Sequence, residues 1–153
     1  MIIREATSSD IKALAALFDA YRQFYQQAPN IELAKSFISS RLNNKDSIIL
    51  VDENLVDKNN EKLIGFCQIY PSFCSVIAAP IGVLYDLFVD STARKTGAGK
   101  ALMLAAHEVA ASNGFARLDL TTAKTNLAAQ ALYELLGWVR DEMFYTYNKE
   151  IIK

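Results

Sequence analysis

The sequence predicts a mixed α+β fold, a central sheet with helices on its faces, and three observations lead there. A chain of 153 residues that is 52% hydrophobic and 22% charged is long enough to close one core and has an ordinary soluble composition. Apolar residues switch between helical and strand-like spacing in the order β-α-α-β-β-β-α-β-α-β. The β-α-β-α-β tail requires crossovers and some parallel pairing, whereas the middle strands form a meander. With no internal repeat, low-complexity tract or linker, residues 1–153 are expected to be a single domain.

Taken in order, "IIREA" (Ile2 to Ala6) is a first strand, and Asp10 is placed to cap the helix that follows. Ile11, Leu14, Phe18, Tyr21 and Tyr25 give that helix one apolar face, until Pro29 and Asn30 interrupt it. "IELAKSFISSRLNN" is a second helix, with Leu33, Phe37, Ile38 and Leu42 on one side. "SIILV" (Ser47 to Val51) is a strand, "DENLVDKNNEK" a polar hairpin loop, and "LIGFCQIY" (Leu63 to Tyr70) the partner strand, ending at Pro71. After a connection through Pro80 and Gly82, "VLYDLFV" (Val83 to Val89) is a buried strand. "GKALMLAAHEVAASNG" is a helix stopped at Asn113-Gly114. "ARLDLTT" is a strand, "NLAAQALYELLG" a helix closed by Gly137, and the aromatic "WVRDEMFYTYNK" a long final strand.

Composition excludes several function classes. A formal net charge of -1 gives no general attraction to nucleic acid or anionic membrane, so any positive field is local. No apolar run approaches the ~20 residues that span a bilayer. "MIIREATSSD" lacks a signal pattern, so a cytoplasmic protein is expected. Cys67 and Cys74 are read as structural, and the lone His107 leaves no His-based zinc site or nucleophilic triad, so no metal is expected.

The segment "DLFVDSTARKTGAGKALM" carries the chemistry. A helix N-terminus offers unpaired backbone N–H groups and partial positive charge. With Gly97, Ala98 and Gly99 feeding it, an anion reaches those donors without meeting side chains. Arg94, Lys95 and Lys100 add charge and Thr96 a hydroxyl, so a diphosphate is the natural occupant; the plainer alternative is a tight turn alone. A P-loop fails because Arg94 stands at its first glycine and Ala101 at its hydroxyl. A dinucleotide motif fails because Leu102 stands at its third glycine.

The segment "RKTGAG", Arg94 to Gly99, resembles the Q/R-x-x-G-x-G/A signature of the GNAT N-acetyltransferases, which move acetyl from acetyl-CoA to an amine. "TAKTNLAAQALYELLGW", Thr122 to Trp138, is similar to the family's second signature, an Asn opening a helix that ends in LYxxxGF. The family often has Gly where Lys95 stands and Ile or Val where Ala98 stands. The resemblance spans nearly the whole chain. It implies the family's mixed, mostly antiparallel central sheet flanked by helices, and acetyl-CoA as co-substrate. It implies a diphosphate held by the loop from Arg94 to Lys100, and main-chain contacts to pantetheine and the acetyl carbonyl from Leu87, Phe88 and Val89.

Amine attack on a thioester needs a neutral amine, a stabilised oxyanion, alignment and a good leaving thiolate. The resemblance implies oxyanion stabilisation by a backbone N–H near Phe88 or Val89, and proton donation to the thiolate by Tyr133; on spacing alone Tyr133 is equally a core aromatic. Asp86 within an apolar strand is costly to bury without a partner. The strand resembles the "LEDLFV" strand of polyamine-type acetyltransferases, with Tyr85 in place of one of its acidic pair. Asp86 then acts as a base through water, as an anchor for the acceptor ammonium, or as a structural carboxylate bonded to nearby backbone. Tyr85, Tyr70, Phe73, Tyr21, Phe24 and Tyr25 are candidates for the acceptor wall, by cation–π contact. Asn126 caps its helix, bonds pantetheine, or both.

The expected activity is acetyl transfer to a primary amine of a small molecule such as a polyamine or amino acid. The alternatives are a protein N-terminal or lysine acetyltransferase and a non-catalytic acyl-CoA-binding module. A homodimer formed through the final strand is a further expectation.

Overall fold

A computed structural model describes residues 2–53 and 63–152. The chain divides into two compact units, Met1–Thr121 and Thr122–Lys153. The first carries a five-stranded sheet in the order β1-β2-β3-β4-β5: β1 (Ile2–Glu5), β2 (Ile48–Glu53), β3 (Leu63–Cys74), β4 (Ala79–Val89) and β5 (Leu118–Asp119). The first three pairings are antiparallel, and only β4 with β5 is parallel. Helices α1 (Ile11–Phe24), α2 (Ile31–Asn44) and α3 (Ala98–Ser112) complete this unit. The expected mixed sheet with flanking helices is therefore present.

Strand alternation assigns each helix to a face. Phe66 of β3 joins Leu14, Leu17 and Phe18 of α1, Ala34 and Ile38 of α2, and Ile49 and Val51 of β2 in one buried cluster. The next residue, Cys67, points to the other face, where its Sγ lies against the carbonyl of Leu102 in α3. That side of α3 buries Ala98, Leu102, Met103, Ala106 and Ala110. The two layers hold the sheet, and with it the end of β4, rigid between them.

Several boundaries differ from those the sequence predicts. Asp10 does not cap α1 through its side chain. Both its carboxylate oxygens bind Arg4, at 2.7 and 2.8 Å, and one also takes the Thr7 amide. It therefore closes a short 3-10 turn (Ser8–Asp10) ahead of the helix. β2 runs on through Asp52 and Glu53, and the rest of the predicted hairpin loop, residues 54–62, lies outside the described residues.

β3 does not end at Pro71, which pairs with Gly82. The β2 ladder stops at Ile69, so Pro71 sits where β3 has become an edge and no donor is missed. Pro80 and Gly82 belong to β4 rather than to a connection, and the turn is 75–78. The strand predicted over "ARLDLTT" is limited to Leu118–Asp119.

The second unit contains α4 (Leu127–Leu135). Asn126 caps it by accepting the Ala129 amide at 3.2 Å. The long final strand is not formed: residues 138–152 carry no helix or strand, and Met143, Phe144, Tyr145 and Tyr147 are exposed. Aromatic and β-branched residues favour a strand only when a partner supplies the ladder, and no ladder to this segment occurs among the described residues.

Two features yield predictions. A Cβ on Gly82 would lie 2.7 Å from Leu118, 2.8 Å from Ile69 and 3.0 Å from Phe115, which is where β5 approaches β4. Gly82→Ala is expected to cost about 1–3 kcal/mol in chemical denaturation, and unchanged stability would contradict this packing.

Asp52 is fully buried, and its carboxylate oxygens have no hydrogen-bond partner among the described residues. Burial pushes its pKa upward. The folded state then holds the proton more tightly than the unfolded state. Stability is therefore lost as pH rises from the ordinary carboxylate range through the folded pKa. Asp52→Asn should raise the melting temperature more at pH 7 than at pH 4, and an equal effect at both would refute it.

Candidate active site

β4 is ordinary sheet at its start and becomes special at Tyr85. Ile69 pairs with Leu84 and Gln68 with Asp86, so Tyr85 is an extra residue, a β-bulge without a partner on β3. The extra residue reverses the alternation: Leu84 shares a face with Ile69, whereas Asp86 is turned to the α1 side with Gln68. Asp86 is only 4% exposed, and Tyr85 is 66% exposed.

The other edge of β4 opens at the same place. β5 pairs only with Gly82 and Val83, so within the first unit Leu84 to Val89 have β3 on one side and no strand on the other. The Asp90 amide donates to the Ile64 carbonyl at 2.8 Å. By alternation the main-chain groups of Phe88 also point into the β3 ladder, and those of Leu87 and Val89 point to the free edge. The Val89 carbonyl lies 3.4 Å from the Arg94 Nε. Of the three main-chain positions singled out in the sequence, Leu87 and Val89 are thus open, while Phe88 contributes its ring.

β4 leads into the glycine turn. Asp90 caps a short 3-10 turn (Ser91–Ala93), accepting the Thr92 amide at 2.9 Å, and Thr96 donates its hydroxyl to the Ala93 carbonyl. Gly97 then enters α3 at φ 88, in the left-handed region where a Cβ is disfavoured. Lys95 also has a positive φ, 62, which accounts for glycine as an acceptable residue there. The helix starts at Ala98, so the N–H groups of Ala98, Gly99 and Lys100 face out of its first turn with no carbonyl one turn earlier. This fits an anion cradle, and Lys95 and Lys100 flank it in sequence.

Arg94 is held differently. Its guanidinium stacks 5.7 Å from the Phe24 ring centre and 5.8 Å from that of Phe88, joining the loop to α1. Phe24 is 49% exposed and packs edge-on against Tyr25 at 5.2 Å. Tyr21 packs against Tyr25, Phe66 and Phe88, and Tyr70 meets Tyr85 edge-on at 5.7 Å. Aromatic rings from α1, β3 and β4 therefore surround the Asp86 end of the strand.

Asp86 is bonded to side chains rather than to nearby backbone. The Gln68 amide donates to its Oδ2, while the Tyr21 hydroxyl lies 3.4 Å from the neighbouring Tyr85 carbonyl. Burial pushes the Asp86 pKa up, and the Gln68 amide and the nearby Tyr21 hydroxyl oppose the rise. The field of this carboxylate adds to burial in raising Tyr21 and Tyr70, the latter to about 12. Cys67, buried nearby, is raised to about 12, chiefly by burial. Sequence reasoning did not single out Gln68, although a polar residue within "LIGFCQIY" carries the same signal that exposed Asp86.

Asp86, Tyr85, Tyr70, Phe24, Leu87 to Val89 and Arg94 to Lys100 all lie in the first unit. Asn126 and Tyr133 lie in the second, where the Tyr133 ring is 6.2 Å from that of Trp138. No group of three His, Cys, Asp or Glu able to hold a metal occurs among the described residues, and no described helix is long and apolar enough to cross a membrane.

The likeness to known proteins agrees with this geometry. The model of the acetyltransferase (GNAT) family matches residues 14–138. The chain is 44% identical over 147 residues to YhfO of Bacillus subtilis, named an uncharacterized N-acetyltransferase, covering 96% of this chain and 95% of that protein. It is 37% identical over 98 residues to a probable acetyltransferase of Haemophilus influenzae, covering 63% of each chain. The crystal structure of a probable acetyltransferase superposes with a TM-score of 0.90 at 32% identity, over 100% of this chain and 99% of that one. By sequence match, sheet topology and the glycine turn at the start of α3, the chain belongs to the acetyltransferase (GNAT) family.

Proposed function

We propose that this acetyltransferase is a cytoplasmic enzyme moving acetyl from acetyl-CoA to a primary amine of a small molecule, a polyamine, amino acid or similar compound, by direct attack in a ternary complex. The observation that carries the reading is the position of Asp86: a buried carboxylate one residue past the β4 bulge, ringed by aromatics, on the strand that runs into the glycine turn.

The amides at the start of α3 bind the diphosphate, with Thr96, Lys95, Lys100 and Arg94 around it, and Ala98 and Gly99 keep the approach clear. Leu87 and Val89 present main-chain groups to pantetheine, and the Val89 N–H stabilises the oxyanion as the amine attacks. Asp86 draws in the acceptor ammonium and receives its proton, directly or through water, while Tyr85, Tyr70 and Phe24 wall the cationic or aliphatic body. Tyr133 returns a proton to the departing thiolate, and Asn126 holds the pantetheine arm as well as capping α4. In this reading residues 1–153 serve a single acetyl-CoA-dependent activity.

Thiol release from acetyl-CoA against separate pools of polyamines, amino acids, aminoglycosides and short peptides tests the proposal. Turnover is expected with at least one small-molecule pool. Asp86→Asn and Tyr133→Phe should each lower the rate by roughly a hundredfold or more, and Gly97→Val should weaken acetyl-CoA binding. Turnover with peptides alone would overturn the acceptor class. Absence of acetyl-CoA binding would overturn the loop's role.

A further inference from the structure

Behind Asp86 runs a chain of polar side chains inside an otherwise apolar sheet. Ser47, just before β2, places its Oγ 2.7 Å from the Gln68 Oε1. Gln68 is fully buried, and its Nε2 meets the Asp86 Oδ2. The Tyr21 hydroxyl from α1 is nearby, 3.4 Å from the Tyr85 carbonyl.

The chemistry of these groups gives the chain a direction. An ionised carboxylate only accepts hydrogen bonds, so Gln68 must turn its NH2 toward Asp86 and its carbonyl away. That carbonyl then accepts the Ser47 hydroxyl, which locks the amide in this orientation. The titratable groups around Asp86 are Tyr21 from α1, Tyr70 from β3 and Tyr85 on its own strand, with Cys67 feeling its field from the opposite face of the sheet. The ion pair of Arg41 with Asp46, at 3.1 Å, acts on Tyr70, and the buried side of α3 brings only apolar residues. Among the described residues no cation balances Asp86, so its ionised form depends on the donors alone.

We propose that Gln68 is a positioning residue for acetyl transfer: its amide, oriented by Ser47, keeps the buried Asp86 carboxylate ionised and fixed in place for the acceptor ammonium. The proposal rests on Asp86 being the acceptor-side carboxylate, as argued above. Gln68 touches neither reactant and acts through Asp86.

The test combines the pH profile of kcat/KM with a carbon-13 NMR titration of the Asp86 carboxyl in substrate-free protein, for Gln68→Met, Gln68→Glu and Ser47→Ala. Loss of a donor to the charged form raises the pKa of Asp86. In Gln68→Met the titration and the acid limb of the profile should therefore move together to higher pH. The rate deficit, roughly tenfold near the limb, should close as pH rises. Gln68→Glu sets a second carboxyl beside the first and should move both further. Ser47→Ala should give a smaller shift in the same direction, and it decides the matter if the buried variants fail to fold.

A uniform loss of rate across pH, with the limb in place, would show a merely structural Gln68 and overturn the proposal. An unmoved NMR titration would overturn the relay while leaving Asp86 its role. A moved titration with an unmoved rate profile would remove Asp86 from the acceptor side, and the proposal with it.

Discussion

β4 must pair with β3 along its whole length and yet keep an edge free past Val83, and the extra residue at Tyr85 reconciles the two demands. Without the bulge, Asp86 would share a face with Leu84, on the side of the sheet that α3 covers. With it, Asp86 is turned to the α1 side and meets the Gln68 amide of β3. The same strand then delivers the chain to Gly97 and the start of α3. The carboxylate, the open main-chain edge and the glycine turn thus all take their positions from one strand, with helices on both faces.

Burying polar groups in such a sheet is costly unless each is partnered. Two acids show the contrast. Asp86 has its hydrogen bonds and aromatic neighbours, whereas Asp52, equally buried on the α3 side, lacks a partner among the described residues. Both are raised by burial, and for Asp86 the Gln68 hydrogen bond opposes the rise. The aromatic cluster has a related double role, since Tyr21 and Phe88 pack the core and Phe24 carries Arg94. The aromatics proposed to wall the acceptor are therefore an extension of the hydrophobic core rather than a separate layer.

How much of this was legible in the sequence follows from which signals are local. Gly97 and Gly99 beside Arg94, Lys95 and Lys100 mark the glycine turn that opens α3, because backbone access and charge are properties of the residues themselves. Asp86 stood out because an acid in an apolar run is anomalous. The bulge was not legible: "VLYDLFV" is apolar at both parities, so its alternation has no readable phase. Asp10 stands at the N-cap position of α1, as the sequence indicates, but its carboxylate goes to Arg4 of β1 and the Thr7 amide instead of to an α1 amide, a competition that the helix pattern does not display. The final strand was overread, since β-propensity in "WVRDEMFYTYNK" says nothing about a partner. Pro71 and Pro80 looked like boundaries, although both sit where β3 or β4 is an edge.

Amide hydrogen exchange along β4, with and without acetyl-CoA, tests the central claim most directly. The account predicts that the amides of Leu87 and Val89 exchange freely in the protein alone and become protected at saturating acetyl-CoA, while Phe88 is protected in both states. Protection of Leu87 and Val89 in the free protein, or continued exchange with acetyl-CoA bound, would contradict it.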